Sequence, residues 1–279
     1  MTDSDYLKKM SFTVELDKAL DQLMGDVFLP HTCQIFEKSI DGKMKPFGSG
    51  IMALLGGSHY ILTVAHVAES LTQTKPLFVK SRDGFIAISG KVLVTNLEVD
   101  KTIDLAYIKL HSHILPALEG DHKFLPLSKF RSHSELFYAT QYCVFGYPED
   151  STKYVDGEVQ SQAEGFFVEP AKAKVYEYYK FNPKSCFILD FKGKGIDVRT
   201  GKDKKIRIQP YGLSGCGLWL LLPNYQNEKW TVDYRLVGIM TEFKKGKYYC
   251  LIGNKISFIL DALVKVEGLK FNNKSIVKD

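Results

Sequence analysis

Apolar residues recur along this chain with two different periods. Near the start, Val14, Leu16, Leu20, Leu23, Met24 and Val27 fall at roughly helical spacing within residues 12 to 28, "FTVELDKALDQLMGDVF". That spacing predicts an amphipathic helix, stopped by Pro30. From Cys33 on, stretches rich in β-branched and aromatic residues alternate with clusters of Gly, Asn, Asp and Lys. A first series is "CQIFEKS", "GIMALL", "HYILTV", "PLFVKS", "FIAISGKVLVTNLEV" and "LAYIKL". A second is "YCVFGYP", "GFFVEP", "KVYEYYKF", "CFILDF", "KKIRIQP", "GLWLLL", "WTVDYRLVGIM" and "KYYCLIG". They read as about a dozen strands in two groups, the pattern of an all-β sandwich or barrel. The stretch "HILPALEGDHKFLPLSKFRSHSEL", with two prolines and mixed polarity, reads as the linker between the groups. Ile256, Ile259, Leu260, Leu263 and Val264 form one apolar face and predict a C-terminal helix over residues 255–266. The tail "FNNKSIVKD" reads as loose.

Length and composition narrow the picture. A chain of 279 residues suits one large domain or two small lobes, and 45% hydrophobic with 25% charged residues is ordinary for a globular protein. The net charge of +5 is mild and does not favour nucleic acid as a partner. The stretch "KGKGIDVRTGKDKKIR", residues 192–207, is basic but lacks interleaved aromatics and reads as a solvated hairpin. The five cysteines (Cys33, Cys143, Cys186, Cys216 and Cys250) form neither a disulfide framework nor a CxxC zinc pair. The histidines have no metal-like spacing beyond His111 and His113, so neither a metal nor a cofactor is expected. No secretory signal and no membrane-spanning run is legible, so a cytoplasmic protein with reduced thiols and no membrane partner is expected.

Three short segments carry candidate chemistry. "YILTVAHVAES" ends a strand-like run at His66, "TIDLAYIKL" opens one at Asp104, and "YGLSGCGLW" frames Ser214 with three glycines. A serine hydroxyl is a weak nucleophile alone. It needs an imidazole as base, and the imidazole needs a carboxylate to hold its tautomer. With this chemistry in view, "LTVAHV" resembles the "TAAHC" segment of the trypsin/chymotrypsin-like serine peptidases, "DLAYIKL" their "DIALLKL" segment and "GLSGCG" their "GDSGGP" segment. "GSG" at Gly48 to Gly50 resembles a strand of bacterial, intracellular-type members. "LVGIMTEF", followed by the last helix, resembles "LVGIVSWG" and the helix after it. The matches are collinear over about residues 33–266 and keep the order His, Asp, Ser.

The resemblance implies two six-stranded antiparallel β-barrels with an N-terminal and a C-terminal helix. The implied limits are 1–32 for a helical extension, 33–115 for the first barrel and 116–136 for the linker. The second barrel would take 137–254, and the C-terminal helix and tail 255–279. It implies a serine endopeptidase acting on a protein or peptide substrate, with His66, Asp104 and Ser214 catalytic. Gly212 and Ser214 would supply the oxyanion hole, and Thr241, Glu242 and Phe243 would edge the substrate. Three departures matter. Leu213 stands where secreted members carry the aspartate that pairs with a newly cut N-terminus, so control by a regulatory protein partner or ligand is expected. Cys216 is out of register for a cysteine nucleophile and reads as a small packed residue. Phe243 replaces a glycine at the pocket mouth, which keeps open the alternative of an inactive pseudoprotease that binds without cutting. A nucleic-acid-binding protein using residues 192–207 is the third reading.

Overall fold

The computed structural model describes residues 14–73, 75–95, 102–133, 141–156, 158–191, 194–197, 202–205, 209–227, 229–271 and 277–278. These form a predominantly β protein. The chain opens with α1 (Val14–Leu23), a π turn (Met24–Phe28) and a short helical turn (Leu29–His31). Pro30 does not stop the helical path. It sits in the first turn of Leu29–His31, where a missing N–H costs nothing, and the widened turn before it absorbs the change. The buried face Leu16, Leu20 and Leu23 packs against the second group of strands. Phe28 then stacks on Trp219 at 4.3 Å between ring centroids, with Tyr234 edge-on to it at 5.7 Å.

The first group comprises β1 (Thr32–Lys38), β2 (Met44–Leu55), β3 (Ser58–Thr63), α2 (Ala65–Thr72), β4 (Leu77–Ser81), β5 (Gly84–Ala87), β6 (Gly90–Val94) and β7 (Ala106–Leu110). Its order is β5-β4-β1-β2-β3-β7-β6, and β8 (Leu125–Pro126) pairs with β2 off that path. The sheet is curled but not a fully hydrogen-bonded ring. Its edge strands β5 and β6 are consecutive in the chain, separated only by Ile88 and Ser89. The Ile88 N–H donates to Leu77 O at 2.8 Å and the His111 N–H to Ser89 O at 3.0 Å. One bent stretch therefore serves both edges, and "FIAISGKVLV" is two short strands instead of one long one.

The second group closes. β10 (Gln141–Gly146), β13 (Glu164–Pro170), β14 (Cys186–Asp190), β19 (Tyr249–Lys255), β18 (Lys229–Lys245) and β17 (Gly217–Gln226) form a closed antiparallel barrel. β11 (Thr152–Val155) pairs with β12 (Glu158–Ser161), and β15 (Lys194–Asp197) with β16 (Lys202–Lys205), as hairpins outside it. The second hairpin lies in the basic stretch 192–207; the rest of that stretch is outside the described residues.

Three expectations are corrected. "KVYEYYKF" forms a helix, α3 (Ala173–Tyr179), not a strand. Val175, Tyr176 and Tyr179 share a face at helical spacing. The Ile188 N–H donates to the Tyr176 hydroxyl at 2.8 Å, and Tyr179 Oη donates to Tyr248 O at 2.7 Å. Alternating tyrosines mimic a strand, but these anchors need a helical face. The linker 116–136 is woven into both sheets: Leu125 pairs beside Ala53, and Phe130 bridges to Leu236, both fully buried. Residues 134–136 lie outside the described residues. In the tail, β20 (Val277–Lys278) pairs in parallel with β9 (Arg131–Ser132). The C-terminal helix is α4 (Ser257–Glu267); Ile259, Leu260 and Leu263 join the large core that also takes in α1 and the curled sheet.

Candidate active site

The elements around His66 are set by local packing. β3 ends at Thr63, Val64 stays extended, and α2 starts at Ala65, a helix not legible in the sequence. A helix N-terminus exposes unpaired N–H groups, and an acidic side chain suits them. Asp104 fills that need. Its Oδ1 accepts the His66 backbone N–H at 3.1 Å, while Oδ2 accepts the His66 Nδ1–H at 2.6 Å. One carboxylate thus caps the helix and holds the imidazole, which leaves Nε2 as the free acceptor. The imidazole is 47% exposed and Asp104 21%.

Residues outside the sequence motifs hold Asp104. Its N–H donates to Asn254 Oδ1 at 2.8 Å, and Asn254 Nδ2 donates to Thr102 O at 2.7 Å. Asn254 is fully buried on β19, so the closed barrel grips the loop that carries the aspartate. Thr95 brackets the same loop. Its Oγ1 donates to Ile103 O at 2.8 Å and accepts the Leu105 N–H at 3.1 Å. No motif pointed to Asn254 or Thr95; long-range pairing brings Asn254 there, and the β6–β7 connection brings Thr95.

Ser214 sits on a turn that glycine makes possible. Gly212 and Gly215 have φ of +86° and +91°, a region that L side chains avoid. A Cβ on Gly215 would fall 1.9 Å from Ser49 O, and one on Gly212 2.8 Å from Tyr147 O. The turn is tied across to β2. The Ser49 N–H donates to Ser214 O at 2.7 Å, and Ser49 Oγ donates to Gly212 O at 3.1 Å. This gives "GSG" its structural meaning.

Two further bonds orient the amides of Gly212 and Ser214. The Glu149 N–H donates to Tyr211 O at 2.7 Å, and the Cys216 N–H donates to Leu213 O at 3.0 Å. In a trans peptide the N–H points opposite its C=O, so the N–H groups of Gly212 and Ser214 are turned away from those partners. Neither donates a hydrogen bond to another of the described residues. Two amides of this kind can stabilise an oxyanion.

His66, Gly212 and Ser214 line one cavity of about 260 Å³, together with Thr241, Glu242 and Phe243. All the sequence-predicted site residues except Asp104, which sits behind His66, thus border it. Pro210, Tyr211, Met240 and Leu251 line it too, and sequence reasoning did not name them. Tyr211 and Phe243 meet edge to face with ring centroids 5.9 Å apart. Ser214 Oγ donates to Thr241 O at 3.1 Å and makes no hydrogen bond to His66. Leu213 is 2% exposed, packed in the barrel core. Cys216 is fully buried and burial pushes its thiol well above the ordinary range, so no thiolate forms there.

No protein-family model matches the chain, and no curated protein matches it in sequence.

Proposed function

We propose that this chain is a serine endopeptidase of the trypsin/chymotrypsin-like kind, working through His66, Asp104 and Ser214. In this reading the curled sheet is the first six-stranded barrel, with β5 and β6 as one bent strand, and the closed ring is the second. The observation that carries it is the double grip of Asp104 on His66 at a cavity shared with a serine on a glycine-rich turn. The mechanism calls for the Ser214 side chain to turn from Thr241 O toward His66 Nε2 across the cavity that both line. His66 takes the proton as Ser214 attacks the scissile carbonyl, then returns it to the leaving amine. Asp104 stabilises the imidazolium. The N–H groups of Gly212 and Ser214 stabilise the oxyanion, each worth about 3 kcal/mol in such a site. A cytoplasmic address belongs to the same reading, since the five cysteines are buried and form no disulfide with one another. So does control by a partner or ligand, since Leu213 is buried in the core and offers no carboxylate to a cut N-terminus.

Two observations favour the alternative of a binding protein without activity: the bond from Ser214 Oγ to Thr241 O, and the Tyr211–Phe243 pair at the cavity. A fluorophosphonate probe separates the readings. Labelling of the wild type that disappears in Ser214→Ala supports the peptidase. Absence of labelling in the pure protein and in cell lysate supports the pseudoprotease.

A further inference from the structure

We propose that the open edge of β18 and the lysines beyond it read an acidic segment of the substrate on the N-terminal side of the scissile bond. This rests on the peptidase reading and names the substrate class for it. β18 pairs with β17 only as far as Gly217 opposite Ile239, whereas its pairing with β19 continues to Lys245 opposite Tyr249. From Glu242 to Lys245, therefore, one edge of β18 has no strand partner among the described residues. That edge begins beside the nucleophile, because Ser214 Oγ donates to Thr241 O. At about 3.3 Å per residue, Lys245 lies roughly 13 Å further along. Every strand pair of this barrel is antiparallel. A substrate strand added by the same rule leaves its scissile end at Ser214 and runs its N-terminal residues past Phe243 toward Lys245.

The charge at that far end is one-sided. Lys244 is taken up by Glu242 at 2.6 Å. Lys245 and Lys247 are exposed, as is Lys174 on the neighbouring α3. No carboxylate of the described residues lies within ion-pair distance of these three. Lys247 Nζ sits 5.4 Å from the Tyr178 ring centre and 5.5 Å from that of Tyr248, and Lys174 Nζ sits 5.7 Å from Tyr248. The ammonium groups are held over ring faces with their outer sides open, which suits carboxylates of an extended peptide. It does not suit stacked bases, because the lysines occupy the ring faces that bases would need.

The test is a fluorogenic coumarin-amide peptide library, varied at each position upstream of the cleaved bond, read as kcat/KM on the wild-type protein. Glu or Asp about three to five residues upstream is expected to exceed neutral residues roughly three- to tenfold. The preference should fade as salt rises to about 0.5 M. In Lys245→Glu/Lys247→Glu, measured as a ratio within the variant, it should turn toward basic residues. Ser214 labelled by fluorophosphonate, with cleavage indifferent to upstream charge, overturns this inference alone. Failure of both labelling and cleavage overturns it together with the peptidase reading. An oligothymidylate that displaces acidic peptides, and loses binding in the double variant, reassigns the lysines to nucleic acid and overturns it too.

Discussion

The two sheets bring their ends together by different means, and the two halves of the site inherit the difference. The barrel that carries Ser214 closes by backbone hydrogen bonds between neighbouring strands all the way round. The sheet that carries His66 and Asp104 turns back through the bend at Ile88–Ser89. Its core is continuous with apolar residues of α4, of α1, which packs against β18, and of the barrel itself, Trp219 and Leu236 among them. The nucleophile turn is accordingly fixed by local glycine geometry and two bonds to Ser49. The His–Asp pair rests on the N-terminus of α2 and on Thr95, next to β6, within its own group, and on Asn254 from the closed barrel. Each half of the site is thus anchored from the other sheet, the Ser214 turn by Ser49 of β2 and the Asp104 loop by Asn254 of β19.

Four predictions bear on that contrast, beginning with the largest effect. Asp104→Asn keeps an oxygen for the His66 backbone N–H but holds the imidazole in the wrong tautomer. The fluorophosphonate labelling rate of Ser214 should fall by a factor on the order of 10⁴ with little change in urea midpoint. A fall below tenfold would remove Asp104 from the chemistry.

Phe28→Ala removes the ring stacked on Trp219 and should cost about 3–5 kcal/mol in urea unfolding. A cost under about 1 kcal/mol would show that the N-terminal segment is dispensable to the core.

Asn254→Ala leaves the Asp104 N–H and the Thr102 C=O without this partner and should cost about 1–3 kcal/mol. It should also slow Ser214 labelling, because Asn254 holds the loop that places Asp104 against His66. A labelling rate unchanged after correction for the folded fraction would make Asn254 structural only.

Glu267→Gln tests the clamp between α4 and the curled sheet. The carboxylate accepts from Lys109 Nζ at 2.7 Å and Lys91 Nζ at 3.2 Å, and Lys109 chiefly holds it below its ordinary value of 4.5. A depressed carboxylate adds stability above the ordinary value and loses it as pH falls through that value toward the depressed one. The wild type should therefore exceed the variant by about 1 kcal/mol at neutral pH, and the gap should close as pH drops below 4.5. A gap that does not change between neutral and acid pH would rule the ion pairs out as its source.

The β character, both terminal helices and the two groups of strands were legible because period and turn residues are local signals. "LTVAHV", "DLAYIKL" and "GLSGCG" marked His66, Asp104 and Ser214; His66 and Ser214 line one cavity, and Asp104 is bonded to His66 outside it. The helix at "KVYEYYKF" was misread, since tyrosines and a valine favour strands until distant partners claim their hydroxyls. The helix after His66 was missed because its N-terminal capping carboxylate is 38 residues away in the chain. The weave of residues 116–136 was missed because proline and mixed polarity look like a linker wherever they occur.

What the sequence by itself determined is therefore of short range: where strands and helices begin, which glycines make a positive-φ turn around Ser214, and which side chains could do acid–base chemistry. Only the tertiary structure decided which sheet closes, that Asn254 and Ser49 anchor the two halves of the site, and that Tyr211, Met240 and Leu251 wall the cavity. The reason is physical. Backbone propensity and turn chemistry act over a few residues. Hydrogen bonds such as Asp104 to Asn254 join residues 150 positions apart, and nothing in the local pattern encodes them.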